Sequence, residues 1–241
     1  MIGSLDNKKI KELRKLKDKK YRDKEKKYLV EGIHLVLEAY KKGDLLEIIL
    51  GENEDVDILV SKVYVSNQIL KSLSSLETPY KIIGVCKYPN EDLELGDKLL
   101  ILDGVQDPGN LGTIIRSSVA FNISTVVLGN NCVDLYNSKV IRACQGMNFH
   151  INIIRRDLKD FIKNIKKEDY YILGTNVNDG SDLKSISNLS KYAIIMGNEG
   201  NGVSKEIQDM CDRNIYIKMN DKCESLNVAV ATSIILYELD N

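Results

Sequence analysis

Three segments of this 241-residue chain combine glycines, amides and charged side chains as ligand-handling loops do. The first is LDGVQDPGNLGTIIRSS, residues 102–118. An apolar run ends at Leu102, and Asp107, Pro108 and Gly109 break the chain before Asn110, which reads as a helix N-cap. Gly112 permits close backbone approach in the first helical turn. Arg116 sits in an otherwise apolar helix. A guanidinium buried there needs an anionic partner or a ligand; the alternative is that it snorkels to solvent.

The second segment, IIMGNEGNGVS at 194–204, runs from an apolar strand into Gly197, Gly200 and Gly202 around Glu199, with Ser204 placed to cap a following helix. A tight glycine-rich turn explains the glycines but not the carboxylate. The spacing is not the dinucleotide fingerprint G-x-G-x-x-G, and no G-x-x-x-x-G-K-[ST] occurs. A nicotinamide-dependent oxidoreductase and ordinary nucleotide hydrolysis therefore lack support. The third segment spans 215–238. There Ser225 reads as the start of a helix apolar on nearly all faces, whose first turn offers unpaired N–H groups beside Ser225 and Asn227. Alone, it reads equally as a capped, buried helix.

The elements that position these loops alternate regularly. Apolar runs predict strands at 98–102, 125–128, 150–154, 170–175, 192–197 and 214–218. Helices are expected at 110–122, 137–146, 157–167, 204–212 and 225–239. Short apolar strands alternating with helices imply a mostly parallel sheet covered on both faces. Ligands of such sheets bind beyond the carboxyl ends of the strands, where all three segments fall. Upstream, residues 5–20 read as one basic amphipathic helix. Strands follow at 27–30, 45–50, 63–65 and 80–85, with helices at 33–40 and after Ser66. The polar stretch Lys87–Asp97 carries Pro89 and Gly96 and no hydrophobic period, and it divides the chain into domains at 1–95 and 96–241.

Hydrophobic residues make up 43% and charged residues 29% of the chain, a globular balance. The net charge of −1 excludes a basic binder overall, yet Lys8–Lys27 holds twelve Lys or Arg against four acidic residues. Such a run attracts phosphate; a solvated helix face is the plainer reading. Five cysteines without a CxxC pair, and only His34 and His150, point to reduced thiols with no disulfide framework or metal centre. No run reaches the length of a membrane span and no signal core opens the chain, so a cytoplasmic location is expected.

Taken in order, the three segments resemble the signature motifs of the SpoU (TrmH-like) RNA 2′-O-ribose methyltransferases of the SPOUT superfamily. Asn110-Leu111-Gly112 with Arg116 resembles the first motif. Gly197-Asn198-Glu199-Gly200 with Gly202 resembles the second, and Ser225-Leu226-Asn227-Val228 with Ala229 the third. The likeness covers residues 98–241. Residues 8–86 resemble, in layout and around Tyr28–His34, the ribosomal-protein-like substrate-binding domain of many members.

The resemblance implies an α/β protein: a knotted (trefoil), mostly parallel sheet domain preceded by a small α/β RNA-binding domain. It implies a homodimer with active sites at the subunit interface, and S-adenosylmethionine as cofactor. The backbone at Gly197, Ile217 and Leu226 would hold that cofactor, and Asn110, Arg116, Glu199, Ser225 and Asn227 would surround the transferred methyl. A ribose 2′-oxygen would displace a neutral leaving group, which needs positioning and help with a proton but no metal. Arg116 is the family's proposed base, an awkward role because arginine holds its proton. Either a dry site withdraws that proton, or Arg116 stays cationic beside the developing alkoxide.

RNA phosphates would meet Lys8, Lys9, Arg14, Lys15, Lys19, Lys20, Arg22 and Lys24, with Arg142 as a further contact; Tyr21 and Tyr28 are candidates to stack on bases. Large-subunit (23S) rRNA is the leading substrate and tRNA the nearest alternative. A non-catalytic RNA-binding or ribosome-assembly protein is a reading of a different class, against which the intact Asn110, Arg116, Glu199 and Asn227 set argues.

Overall fold

The computed structural model describes residues 1–90, 94–177, 180–186 and 189–240. In chain order the elements are α1 (Lys8–Lys15), α2 (Lys19–Glu25), β1 (Lys27–Glu31), α3 (Ile33–Lys42), β2 (Leu45–Leu50), β3 (Ser61–Tyr64), α4 (Asn67–Leu73) and β4 (Ile82–Lys87). These are followed by β5 (Lys98–Leu102), α5 (Pro108–Ala120), β6 (Thr125–Leu128), α6 (Ser138–Ala143), β7 (Asn152–Arg155), α7 (Leu158–Lys166) and β8 (Tyr171–Thr175). The last are β9 (Ser181–Asp182), β10 (Tyr192–Met196), α8 (Lys205–Gln208), β11 (Arg213–Tyr216) and α9 (Val228–Asp240).

The chain forms two units. One is Met1–Asn90 together with Asp134–Phe149; the other is Glu91–Val133 together with His150–Asn241. The inserted piece, Asp134–Phe149, lies within the span 96–241 that the sequence assigns to the second domain. Of the Lys87–Asp97 linker, residues 91–93 lie outside the described residues.

The first unit is a four-stranded sheet in the order β1-β4-β2-β3, antiparallel except for the β2–β3 pair. Alternation along the strands supplies both faces. Tyr28, Val30, Ile48 and Leu50 pack with Leu35, Val36 and Ala39 of α3, and with Ile141 and Phe149 from the inserted segment. Leu29, Ile49, Ile83 and Val85 face Ile10 and Leu13 of α1 and Ile69, Leu70 and Leu73 of α4. The single helix expected over 5–20 is two. After Leu16 the chain turns out, Asp18 takes an extended conformation, and its carboxylate accepts the Lys20 N–H at 2.9 Å to cap α2. The break turns α2 so that Arg22 points inward.

The second unit is a seven-stranded, wholly parallel sheet in the order β7-β6-β5-β10-β8-β11-β9. β6 and β10 are buried along their whole length, as a parallel sheet with both faces covered requires. Leu99, Ile101, Val127, Ala193 and Ile195 pack under Phe161, Ile162 and Ile165 of α7 and Ile207 of α8. α5 and α9 pack together, joined by a 2.7 Å hydrogen bond between the Ser117 and Ser233 hydroxyls. β5 and β10 are neighbours although some ninety residues of sequence separate them, so two of the chemically promising loops leave the sheet side by side. β11 leaves the same edge two strands further on. The two-residue β9 was not legible in the hydrophobic pattern.

Candidate active site

The loop after β5 is fixed from both ends. Asp103 Oδ2 accepts the Ser204 N–H at 2.8 Å. Asp107, not Asn110, caps α5: its Oδ1 accepts the Asn110 N–H at 2.8 Å, with Pro108 in the first turn. That correction has a chemical consequence. A capping Asn110 would turn its side chain onto its own helix, whereas within the first turn its amide is free to reach outward.

The loop after β10 closes on itself. The Asn198 N–H and Gly202 N–H donate to each other's carbonyls, both at 2.9 Å. Asn198 Oδ1 accepts the Gly200 N–H at 2.8 Å, while its Nδ2 donates to the Gly104 carbonyl at 2.8 Å and ties this loop to the one after β5. A Cβ on Gly197 would stand 1.9 Å from the Gly202 carbonyl carbon, so only glycine fits there. Gly202 has φ +70°, the left-handed region. The result presents Glu199 outward.

The loop after β11 ends at α9, which starts three residues later than Ser225. Its cap is Asn227, whose Oδ1 accepts the Ala229 N–H at 2.9 Å and the Val230 N–H at 3.3 Å. Ser225 lies before the helix and is exposed.

These positions form one hydrogen-bonded chain. Asn227 Nδ2 donates to Asn110 Oδ1 at 2.9 Å, and Asn110 Nδ2 donates to Glu199 Oε1 at 3.1 Å. The Glu199 carboxylate also accepts the Asp107 N–H at 3.2 Å and the Gln106 N–H at 3.3 Å. Burial pushes this carboxyl upward, but the hydrogen bonds from Asn110 and the loop N–H groups outweigh it and hold it below the ordinary glutamate range. An ionised Glu199 thus pins the first loop against the second, and the amides of Asn110 and Asn227 are locked in one orientation.

Beside this chain a cavity of about 500 Å³ opens at the carboxyl ends of β8, β10 and β11. Gly197, Ile217 and Leu226 all line it, as do Glu199, Ser225 and Asn227. Gln208, which the sequence did not single out, lines it too, and its Nε2 is buried without a hydrogen-bond partner. A cavity of this size, walled by Met196, Ile215, Val228 and Ile235 with Gln208 beside them, fits a nucleoside-sized cofactor.

Arg116 takes the second of the two readings open in the sequence, that of a guanidinium reaching solvent. It is exposed on α5 and makes no hydrogen bond or ion pair among the described residues. Water solvates it, so no anionic partner is required by burial.

Among the basic residues, Lys8, Arg14, Lys15, Lys19, Lys20 and Lys24 are exposed on the first unit. Lys9 pairs with Glu47 and Lys19 with Asp23. Arg22 is a correction: it is 7% exposed, pairs with Asp134 at 2.6 Å, and donates to the Leu16 and Lys17 carbonyls. Its charge holds the turn and the inserted segment and is not offered to phosphate. Arg142, on α6 in the same unit, donates to the Ser75 hydroxyl at 2.6 Å. Tyr28 is buried among Tyr88 and Tyr136, a core role, whereas Tyr21 is half-exposed beneath Lys15. Among the described residues no group of His, Cys, Asp or Glu is arranged to hold a metal ion, and no helix is long and apolar enough to cross a membrane.

Sequence reasoning passed over Asp103, gave Asn198 no role beyond its place in the second motif, and placed the α5 cap at Asn110 where the structure has Asp107. The dipeptide Asp107-Pro108 carried the signal, because proline favours the first helical position after such a cap.

Residues 97–237 match the SpoU rRNA Methylase family, and residues 7–84 match the MRM3-like substrate binding domain. The 23S rRNA (guanosine(2553)-2′-O)-methyltransferase RlmP of Bacillus subtilis is 38% identical, over 99% of this chain and 98% of its own. The crystal structure of an AdoMet-bound rRNA methyltransferase from Sinorhizobium meliloti superposes with a TM-score of 0.87 at 28% identity, covering 98% of this chain and 95% of that one. A TrmH-family RNA methyltransferase structure from Porphyromonas gingivalis also gives 0.87, at 29% identity and 98% of both chains.

Proposed function

The chain belongs to the SpoU rRNA methylase family, and from that premise we propose that it methylates a ribose 2′-oxygen of large-subunit (23S) rRNA, using S-adenosylmethionine. The observation that carries the reading is the bonded series Asn227–Asn110–Glu199, which joins all three loops at the mouth of the cavity. When bound there, the cofactor supplies a methyl group on a positively charged sulfur.

The chain's own residues supply position and charge. Backbone groups at Gly197, Ile217 and Leu226 hold the cofactor. Asn110 and Asn227, locked by Glu199, orient the ribose. Arg116, exposed and with no partner among the described residues, is a cation that neutralises the charge developing on the attacking oxygen and a neighbouring phosphate, while the 2′-hydroxyl proton passes to water. Lys8, Lys9, Arg14, Lys15, Lys19, Lys20 and Lys24, with Arg142, engage the RNA backbone from the first unit.

The reading extends to a homodimer. On α9, Val230, Ile234 and Tyr237 recur at helical spacing on one face and are 48%, 39% and 57% exposed, an apolar stripe that a second copy would cover. It extends to a trefoil path as well, with which the insertion of β10 between β5 and β8 is consistent. A cytoplasmic location follows from the rRNA substrate.

The test is transfer of tritiated methyl from S-adenosylmethionine to separated rRNA and tRNA, and to an assembling large subunit, from cells lacking this gene. Nuclease digestion and mass spectrometry would follow, with the nucleotide named for the Bacillus subtilis relative assayed first. A labelled 2′-O-methyl nucleotide in large rRNA is expected. Label confined to tRNA would overturn the substrate, and no label on any of them would overturn the reaction.

A further inference from the structure

Among the described residues of the cavity wall, one polar side chain has a buried atom with no hydrogen-bond partner. Thr175 Oγ1 donates to the Ile195 carbonyl at 2.8 Å. Asn198, Glu199 and Asn227 are engaged within the loops. Gln208 is the exception. Its backbone is satisfied, with the N–H on the Ser204 carbonyl at 2.9 Å and the carbonyl accepting the Cys211 N–H at 3.0 Å. Its side-chain carboxamide makes no hydrogen bond among the described residues, and Nε2 is buried. Native proteins seldom leave a buried donor unmet, because the desolvation cost is not recovered. A leucine in this position of a short amphipathic helix would bury apolar surface at no such cost.

We propose that Gln208 is a cofactor-binding residue whose carboxamide hydrogen-bonds the adenosine part of S-adenosylmethionine. The inference rests on the methyltransferase reading of the same cavity. A carboxamide presents a donor and an acceptor side by side, the pattern with which Asn and Gln read an adenine edge. The amide can turn about its last bond to offer either atom to the cavity. The apolar walls at Met196, Ile215 and Ile235 suit the faces of a purine.

The experiment is calorimetric titration of the full-length chain with S-adenosylhomocysteine and with 5′-methylthioadenosine, which keeps the adenosine and lacks the amino acid. Wild type is compared with Gln208→Leu and with Gln208→Glu, which retains the shape and removes the Nε2 donor. Both variants are expected to weaken both ligands roughly tenfold. The ligand-free melting temperature of Gln208→Leu should be unchanged or raised, because the unmet donor is gone. Equal affinity of both variants and wild type would overturn the proposal. So would a loss seen only with S-adenosylhomocysteine, which would move the contact to the amino-acid end. If Gln208→Leu does not fold, Gln208→Glu carries the comparison alone. A wild-type chain that binds neither ligand would remove the methyltransferase reading itself, an outcome distinct from normal binding by wild type and variants alike.

Discussion

Asn227 donates its side-chain N–H to Asn110 Oδ1 across 2.9 Å, although 117 positions separate the two in sequence. The same residue caps α9 through its Oδ1. One amide therefore does two jobs with two different atoms, and they can be separated by substitution.

Asn227→Asp keeps the capping oxygen and replaces the donor with a carboxylate oxygen facing Asn110 Oδ1. Melting temperature is expected to stay near wild type while single-turnover methyl transfer falls at least tenfold. Asn227→Ala loses both functions and about 1 kcal/mol of stability with the cap. If Asn227→Asp transferred methyl at the wild-type rate, the bond to Asn110 would have no part in the reaction.

Glu199 is held below the ordinary glutamate range by its donors, despite burial working the other way. The sign follows from linkage: a depressed folded value stabilises the loops above the unfolded value, and that contribution is lost as pH falls through the folded value. Glu199→Gln should remove this pH-dependent part. Melting curves of wild type and variant, followed from neutral pH down through the carboxylate range, are expected to converge at the acidic end. Curves that stay parallel would show that the ionised carboxylate does not pin the loops.

Arg116 is exposed and has no partner among the described residues, so its removal should not disturb folding. Arg116→Ala is expected to leave melting temperature and S-adenosylhomocysteine affinity unchanged while nearly abolishing methyl transfer. Equal loss of cofactor affinity would place the guanidinium in the cofactor site instead.

The basic run divides into two kinds of residue. Removing Lys15 or Lys20, both exposed, should weaken RNA binding and lower the salt slope by about one per phosphate contact, with folding untouched. Arg22→Ala should instead destabilise the chain by roughly 3–5 kcal/mol, because it strands Asp134 in a buried pair. A folded Arg22→Ala with a reduced salt slope would return this residue to the RNA surface.

How far these features were legible varies with their physics. β5, β6 and β10 stood out because strands buried on both faces are continuous apolar runs with sharp ends. Gly197 stood out because no other residue fits. The caps did not, because Asp107 and Asn110 are both good capping types three residues apart, as Ser225 and Asn227 are two apart. A helix as uniformly apolar as α9 also gives no period with which to fix its first turn. Arg22 looked like its neighbours because only the break at Asp18 turns it inward. Gln208 gave no signal at all, since being unpaired belongs to its surroundings and not to its type. Nor did any pattern tell that Tyr136, Ile141 and Phe149 join a core begun by Tyr28 more than a hundred residues earlier.

That shared core sets an order of synthesis. Residues 1–90 emerge from the ribosome without Asp134, the partner of Arg22, and without Ile141 and Phe149, which complete one face of the first sheet. The nascent chain must carry this face unfinished while β5, α5 and β6 are made, and closes it only once Phe149 is out. A fragment ending at Asn90 repeats that unfinished state, with an open apolar face and with Arg22 lacking its carboxylate partner.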